Sequence, residues 1–303
     1  MIDKLDFLLA LARERHFGRA AASCGVTQPT LSAGIMQLED TLGVLLVNRG
    51  ARFHSFTHEG ERALEWARRI VGDTRAMRDE IRALRRGELT GHLTIAVVPT
   101  ALAMVSSLTT PFRAKHPDVR FTILSRNSIE ILTSLENLEI DAGITYLDNE
   151  PLGRVRAVPL YSEHYCLLTA ASAPLGDRKQ VTWAEIARVP LCLLTPDMQN
   201  RRIIDGLLAA SGIERASPTL ESNSMTLLFS HIRTGQWASV MPTVLVDRLG
   251  LSDMIRAIPV AEPTVIHTIG LVVPNREIMT PVAAALVAEA MAVAASLEGK
   301  TAR

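Results

Sequence analysis

The sequence predicts a multi-domain α/β protein, with a winged helix-turn-helix and a long linker helix placed before two α/β lobes. Three observations predict this. Residues 1–60 carry helical periodicity that ends in two short strand-like runs. Residues 61–90 hold one amphipathic helical pattern. From residue 91 onward, apolar strand-like runs alternate with helical ones, as expected of sheets covered by helices. A chain of 303 residues also exceeds what one core comfortably serves, so two or three domains are expected.

In the first sixty residues, Leu5, Leu8, Leu9 and Ala12 mark one helix, and Phe17 leads into a second at 18–24. Thr27 is a suitable N-cap for a third, and Pro29 is tolerated in its first turn. Leu31, Ile35, Leu38 and Leu42 form its buried stripe, and Gly43 can stop it. Residues 44–57, VLLVNRGARFHSFT, read as two short strands around a tip at 48–52.

From His58 the pattern changes. Ala63, Ala67, Ile70, Thr74, Met77, Ile81 and Leu84 alternate steps of 4 and 3, a heptad seam flanked by charge. That seam suits a partner helix in a second copy better than a neighbour within the chain. Gly87 and Gly91 then release the chain.

The alternating part begins with HLTIAVV (92–98), a helix ending near His116, VRFTIL (119–124), a helix over 128–137 and DAGITY (141–146). It continues with YCLLTA (165–170), PLCLL (190–194), a helix over 199–210, TLES (219–222) and a helix over 224–234. WASVM (237–241), HTIGLVV (267–273) and a helix over 280–297 close it. Parallel sheets in two lobes are the expectation, the first lobe from about 91–163 and 267–303, the second from about 164–266.

Composition narrows the function. Net charge is +0, and residues 1–90 carry 14 Lys/Arg against 12 Asp/Glu, so no uniformly basic nucleic-acid coat exists. Cys24, Cys166 and Cys192 stand far apart with no CxxC pair, which argues against a disulfide framework or a zinc site and fits a reducing cytoplasm. The first 18 residues place charges inside their apolar pattern, so they read as a folded helix and not as a signal peptide. The most apolar run, 282–297, is interrupted by Glu289, so no membrane span is expected.

Two short helices joined by a turn at Gly25 have the dimensions of a helix-turn-helix, whose second helix enters the major groove by its N-terminal end. Thr27, Gln28, Pro29, Thr30 and Ser32 occupy that end. Gln can pair with adenine, hydroxyls serve base or phosphate, and free N–H groups of a helix start favour phosphate. Arg49 and Arg52 at the following tip suit a wing that reaches phosphate or the minor groove.

These residues resemble a known family. Phe17-Gly18-Arg19-Ala20-Ala21-Ala22, Thr27 to Ser32, Ile35, Leu38-Glu39, Leu42-Gly43, Arg49, Arg52 and Phe56-Thr57-His58-Glu59-Gly60 are similar to the winged helix-turn-helix of LysR-type transcriptional regulators. Ala33 and Gly34 depart from it, lacking the long side chains common there; Gly34 suggests closer backbone approach to DNA. Val47 stands where Phe is usual, and Asn48 where an acidic residue is common. The resemblance implies a linker helix followed by two lobes like those of periplasmic solute-binding proteins. It also implies promoter DNA as partner, a homodimer through the linker helix, a tetramer as a dimer of dimers, and room for RNA polymerase as a further partner.

It further implies a small-molecule effector between the lobes. On this chain the effector residues would be Pro99, Thr100, Ala101, Asn127, Ser128, Thr145, Thr195, Met198 and Asn223. Asn200, Ser224 and Met225 lie beside them. These are junctions where strands end and helices begin, so N–H groups and hydroxyls converge and anions are favoured. A small oxyanion or carboxylate is the expected class. Thr100 and Ser128 could also be plain helix caps. No catalytic residue, metal or cofactor is expected.

The stretch ERHFGRAAASCGVTQPTLS is especially similar to the peroxide-sensing branch, which implies a redox cysteine pair in the second lobe. Gln199 and Leu208 stand at the matching positions here, so that chemistry does not transfer. Cys166 and Cys192 lie in apolar strands and read as buried thiols. An enzyme is the rival class, but GxSxG, GxGxxG, HExxH and a phosphate loop are all missing. An acid–base pair of His231 with Glu221 is the one constellation to weigh. A purely architectural DNA-binding protein would leave two lobes unexplained.

Overall fold

The computed structural model describes residues 1–49, 53–86, 89–148, 151–213, 218–250 and 254–301. They form two compact units. One holds residues 1–90 with the short segments 136–139 and 276–281, and the other holds the remainder.

In the first unit, α1 (Ile2–Glu14), α2 (Phe17–Ser23) and α3 (Gln28–Leu42) precede a hairpin of β1 (Val47–Arg49) and β2 (Phe53–Phe56), then α4 (His58–Arg86). Leu8, Leu11, Ala20, Leu31, Ile35 and Leu38 form one core with Leu64, Ala67 and Val71 from α4. Leu42, expected in the same stripe, is exposed, because it is the last residue of α3 and lies past the edge of that core. Leu64, Ala67 and Val71 correct the expected seam. The start of α4 packs on its own domain, and Ala67 is buried there. What stays exposed is Trp66, Ile70, Met77 and Ile81, spaced 4, 7 and 4 residues apart. The side chain of Leu84 lies outside the described residues.

The second unit opens with β3 (Gly91–Val97), a 3₁₀ turn (Pro99–Met104), α5 (Val105–Lys115), β4 (Val119–Ser125), α6 (Ser128–Glu136), β5 (Ala142–Tyr146) and β6 (Val155–Glu163). The chain then crosses into β7 (Tyr165–Ala170), α7 (Trp183–Ile186), β8 (Cys192–Leu194), α8 (Gln199–Ala210), β9 (Leu220–Ser222) and α9 (Met225–Ile232). Next come β10 (Ala238–Pro242), α10 (Thr243–Leu249) and β11 (Ile255–Pro259). It returns through β12 (His267–Pro274) and ends in α11 (Pro281–Thr301).

One five-stranded sheet has the order β4-β3-β5-β12-β6, and the other lobe carries β10-β7-β11 with a separate parallel pair, β8-β9. The five-stranded sheet is mixed and the three-stranded one antiparallel, which corrects the expectation of parallel sheets. β3 pairs in parallel with β4 and β5, but β12 runs antiparallel to β5 and β6. β10 and β11 run antiparallel to β7. A strand buried on both faces is an apolar run whichever way its neighbour points, so the sequence pattern carries no direction. β6 went unread because it is an edge strand with alternating burial and contains Pro159, which an edge tolerates. Glu289, in the middle of the apolar α11, is buried and ion-paired with Lys115 of α5 at 2.6 Å.

Candidate DNA-reading surface and effector cleft

The start of α3 is built as its sequence demands. Thr27 caps it, accepting from the Thr30 N–H at 3.4 Å and sharing a 2.8 Å hydroxyl contact with Thr30. Gly25 turns the chain at φ 67°, where a side chain would be strained. Thr27, Gln28, Pro29 and Thr30 are all accessible, and Ser32 is half-buried. These five therefore share one accessible helix end.

Gly34 does not belong to that surface. It is buried, and a Cβ there would stand 2.6 Å from the ring of Phe7. Its glycine serves close packing of α3 on α1, not backbone approach to DNA, which corrects that expectation. Residue 33 is half-buried alanine.

The wing is held by side chains outside it. The buried Glu39 carboxylate accepts from the backbone N–H of Leu46 at 2.9 Å and of Val47 at 3.2 Å. Thr57 donates its hydroxyl to the Leu45 carbonyl and accepts from the Gly60 N–H, tying the far side of the hairpin to α4. Asn48 donates to Ser55 and to the Phe56 carbonyl across the ladder. Arg49 ends β1, but its side chain, like the whole of Arg52, lies outside the described residues.

In the second unit, groups from both lobes converge at one cleft. Val98, Pro99, Thr100, Asn127 and Tyr146 line it from the first lobe, and Leu194, Met198, Gln199 and Asn200 from the second. Gly143 lets α6 lie close on β5, since a Cβ there would meet Ile131 at 2.3 Å. The cleft is closed on itself, too narrow to admit a water molecule.

The capping roles differ from expectation. Asn127, not Ser128, caps α6: its carbonyl oxygen accepts from the Glu130 N–H at 2.8 Å, and Glu130 accepts from the Asn127 N–H. Thr100 sits inside the 3₁₀ turn and caps nothing; its hydroxyl meets that of Tyr146 at 3.2 Å. Both hydroxyls are thereby left for other work.

Ser128 accepts from Arg202 across the cleft at 3.4 Å. Arg202 also donates to the Asp197 carbonyl and to the Gln199 side chain. Asn127 donates to the Asp197 carboxylate at 3.3 Å, again across the cleft. The Thr195 hydroxyl and then Asn127 hold that carboxylate below its ordinary range. Arg202 and Asp197, which were not among the expected effector residues, therefore bridge the two lobes beside the cleft. They escaped notice because nothing in the run Asp197–Arg202 marks which face of α8 meets the other lobe.

Of the remaining expected residues, Ala101 is fully buried and Asn223 is exposed, and neither lines the cleft. Thr145 Oγ1 and Asn200 Nδ2 are buried without a hydrogen-bond partner among the described residues. Behind the cleft wall, Tyr146 donates to the buried Glu163 at 3.0 Å, and Tyr161 reaches the same carboxyl.

The second-lobe thiols are buried. Cys166 donates to the Met241 carbonyl and Cys192 to that of Leu228. Burial pushes Cys166 up to about 12 and Cys192 up to about 11, so neither offers a thiolate. Glu221 is claimed by Arg201 at 2.5 Å, and His231 bonds the Leu227 carbonyl, so no acid–base pair forms between them. Among the described residues no group of three or more His, Cys, Asp or Glu could hold a metal ion, and no helix is long and apolar enough to cross a membrane.

Residues 2–61 match the family described as bacterial regulatory helix-turn-helix protein, lysR family, and residues 86–295 match the LysR substrate binding domain. A hydrogen peroxide-inducible genes activator from Pectobacterium carotovorum subsp. carotovorum is 29% identical over 273 residues, covering 89% of either chain. A probable nitrogen assimilation transcriptional activator from Synechococcus elongatus is 28% identical over 286 residues, covering 92% of this chain and 91% of that one. Among solved structures, a full-length OxyR variant from Pseudomonas aeruginosa superposes with a TM-score of 0.72 at 24% identity, over 97% of this chain and 99% of that one.

Proposed function

Because the chain belongs to the LysR family of transcriptional regulators, with a helix-turn-helix and a substrate-binding domain, we propose that it reads a dyad-symmetric promoter site and answers a small anionic metabolite held between its lobes. Two copies would pair along Trp66, Ile70, Met77 and Ile81, and two such dimers would make a tetramer. Each dimer would present two α3 helices to half-sites one or more helical turns apart. Such a protein works where the DNA is, in the cytoplasm, and its family is one of regulators and not of enzymes.

The observation that carries the effector reading is the convergence of Thr100, Asn127 and Asn200 from two lobes on one closed cleft, beside the hydrogen bond from Arg202 to Ser128. Arg202 donates to Ser128, Gln199 and the Asp197 carbonyl, and its charge also acts on the Asp197 carboxylate. A carboxylate or oxyanion that parts the lobes could accept from the same guanidinium in a charge-assisted hydrogen bond. The buried amide of Asn200, whose Nδ2 has no partner among the described residues, offers a second donor.

Relatives of nearly equal identity are named for peroxide and for nitrogen assimilation, so resemblance alone selects no signal. A thiol-based peroxide response does not fit here, because Gln199 and Leu208 replace the cysteines and Cys166 and Cys192 are buried and protonated. The test is a thermal-shift screen of carboxylates and inorganic oxyanions against the full chain and an Arg202→Ala variant. A ligand should raise the midpoint of the parent, lose that effect in the variant and remain unconsumed. Turnover, or equal stabilisation of both proteins, would sink the proposal.

A further inference from the structure

The second lobe carries an open-mouthed cavity of about 290 Å³ that shares no lining residue with the cleft. It lies where β7 leaves the first lobe and where the chain returns after β11, between His164 and Thr264. Its inner wall is apolar: Trp183, Leu207, Val246 and Val260 are all buried. Trp183 spends its Nε1–H on the Pro263 carbonyl at 2.9 Å, so its indole shows the space only hydrocarbon. The Cys166 thiol completes this wall as a neutral, buried group. A pocket of this size with an apolar inner wall can take a ring-sized ligand.

The rim is selective. Asp247 is exposed there, and no lysine or arginine is among the described lining residues. Thr243 is half-engaged, since its N–H and hydroxyl both point to the His164 carbonyl. A carboxylate entering this space would meet Asp247, with His164 as the one described lining side chain able to carry a positive charge. An N–H or O–H group would instead find an acceptor. We infer that this cavity is a second small-molecule site, for a neutral aromatic or alicyclic ring that carries one hydrogen-bond donor directed at Asp247. Its chemistry is opposite to that of the cleft, so one chain would carry two separate ligand sites.

The probe is indole, with benzoate as an anionic ring of similar size, each titrated calorimetrically into the full chain. Indole should bind saturably, and benzoate at least about tenfold more weakly. Ala257 is exposed at the mouth, so Ala257→Trp should block entry without disturbing the core and weaken indole by about tenfold or more. Val260→Phe should do the same from the inside. Asp247→Asn should narrow the gap between the two ligands. Arg202→Ala in the cleft should leave indole binding as it was, which separates this site from the effector reading. Absence of saturable indole binding, indifference to Ala257→Trp, or loss of binding in Arg202→Ala would each overturn the inference.

Discussion

Tyr146 donates its hydroxyl to Glu163 at 3.0 Å, and neither residue is more than 2% exposed. Through Thr100, which meets the same tyrosine, the carboxyl is linked to the cleft lining without facing the cleft itself. A carboxylate so placed would be costly, and the group answers by keeping its proton.

Burial pushes Glu163 up to about 8, against the pull of the Tyr146 and Tyr161 hydroxyls. The folded state therefore holds a proton that the unfolded chain releases near 4.5. The stability this group contributes is complete below that ordinary value and is lost as pH rises through about 8. Glu163→Gln cannot ionise, so its thermal midpoint should stay level over that window while the parent's falls. Parallel curves for the two proteins would assign the pH dependence elsewhere.

A Cβ on Gly60 would stand 2.0 Å from the Leu46 carbonyl oxygen, with backbone on both sides of the clash. Gly60→Ala should therefore push α4 away from the wing and destabilise the first domain by about 1–3 kcal/mol. Urea unfolding measures the loss, and DNA affinity should fall with it. An unchanged midpoint would mean that the hairpin can shift freely, contrary to its ties through Glu39 and Thr57.

Gln28 is accessible at the first position of α3 and belongs to no part of the core needed for folding. Gln28→Ala should cost about 1–3 kcal/mol of specific DNA binding and relax base preference, with stability untouched. Equal affinity and selectivity in a binding titration would remove Gln28 from the reading surface.

Ile70 and Ile81 are exposed on α4, at 39% and 52%. Placing Glu at both should bury like charges in a paired helix and shift the assembly to monomers. Sedimentation velocity reports the outcome directly. A sedimentation coefficient identical to the parent's would show that copies associate through another face.

Local pattern alone specified much of this protein. The Thr27 cap, the Gly43 stop, the Leu31, Ile35 and Leu38 stripe of α3 and the span 199–210 of α8 are all set by residues within one or two turns of each other. The accessible start of α3 was legible for the same reason, since a cap and the exposed residues after it are neighbours in sequence.

What pattern could not settle were relations between segments far apart in the chain. Gly34 looks alike whether it faces DNA or Phe7, and only the packing of α1 on α3 chooses. Strand direction, the pairing of β12 with β5 and β6, and the crossing of Arg202 to Ser128 follow from two passages of the chain between lobes. The buried Glu163 and the apolar cavity beside Trp183 likewise exist only where such segments meet. Hydrogen bonds within a turn are encoded by spacing, whereas burial and charge pairing across a fold depend on which surfaces collapse together.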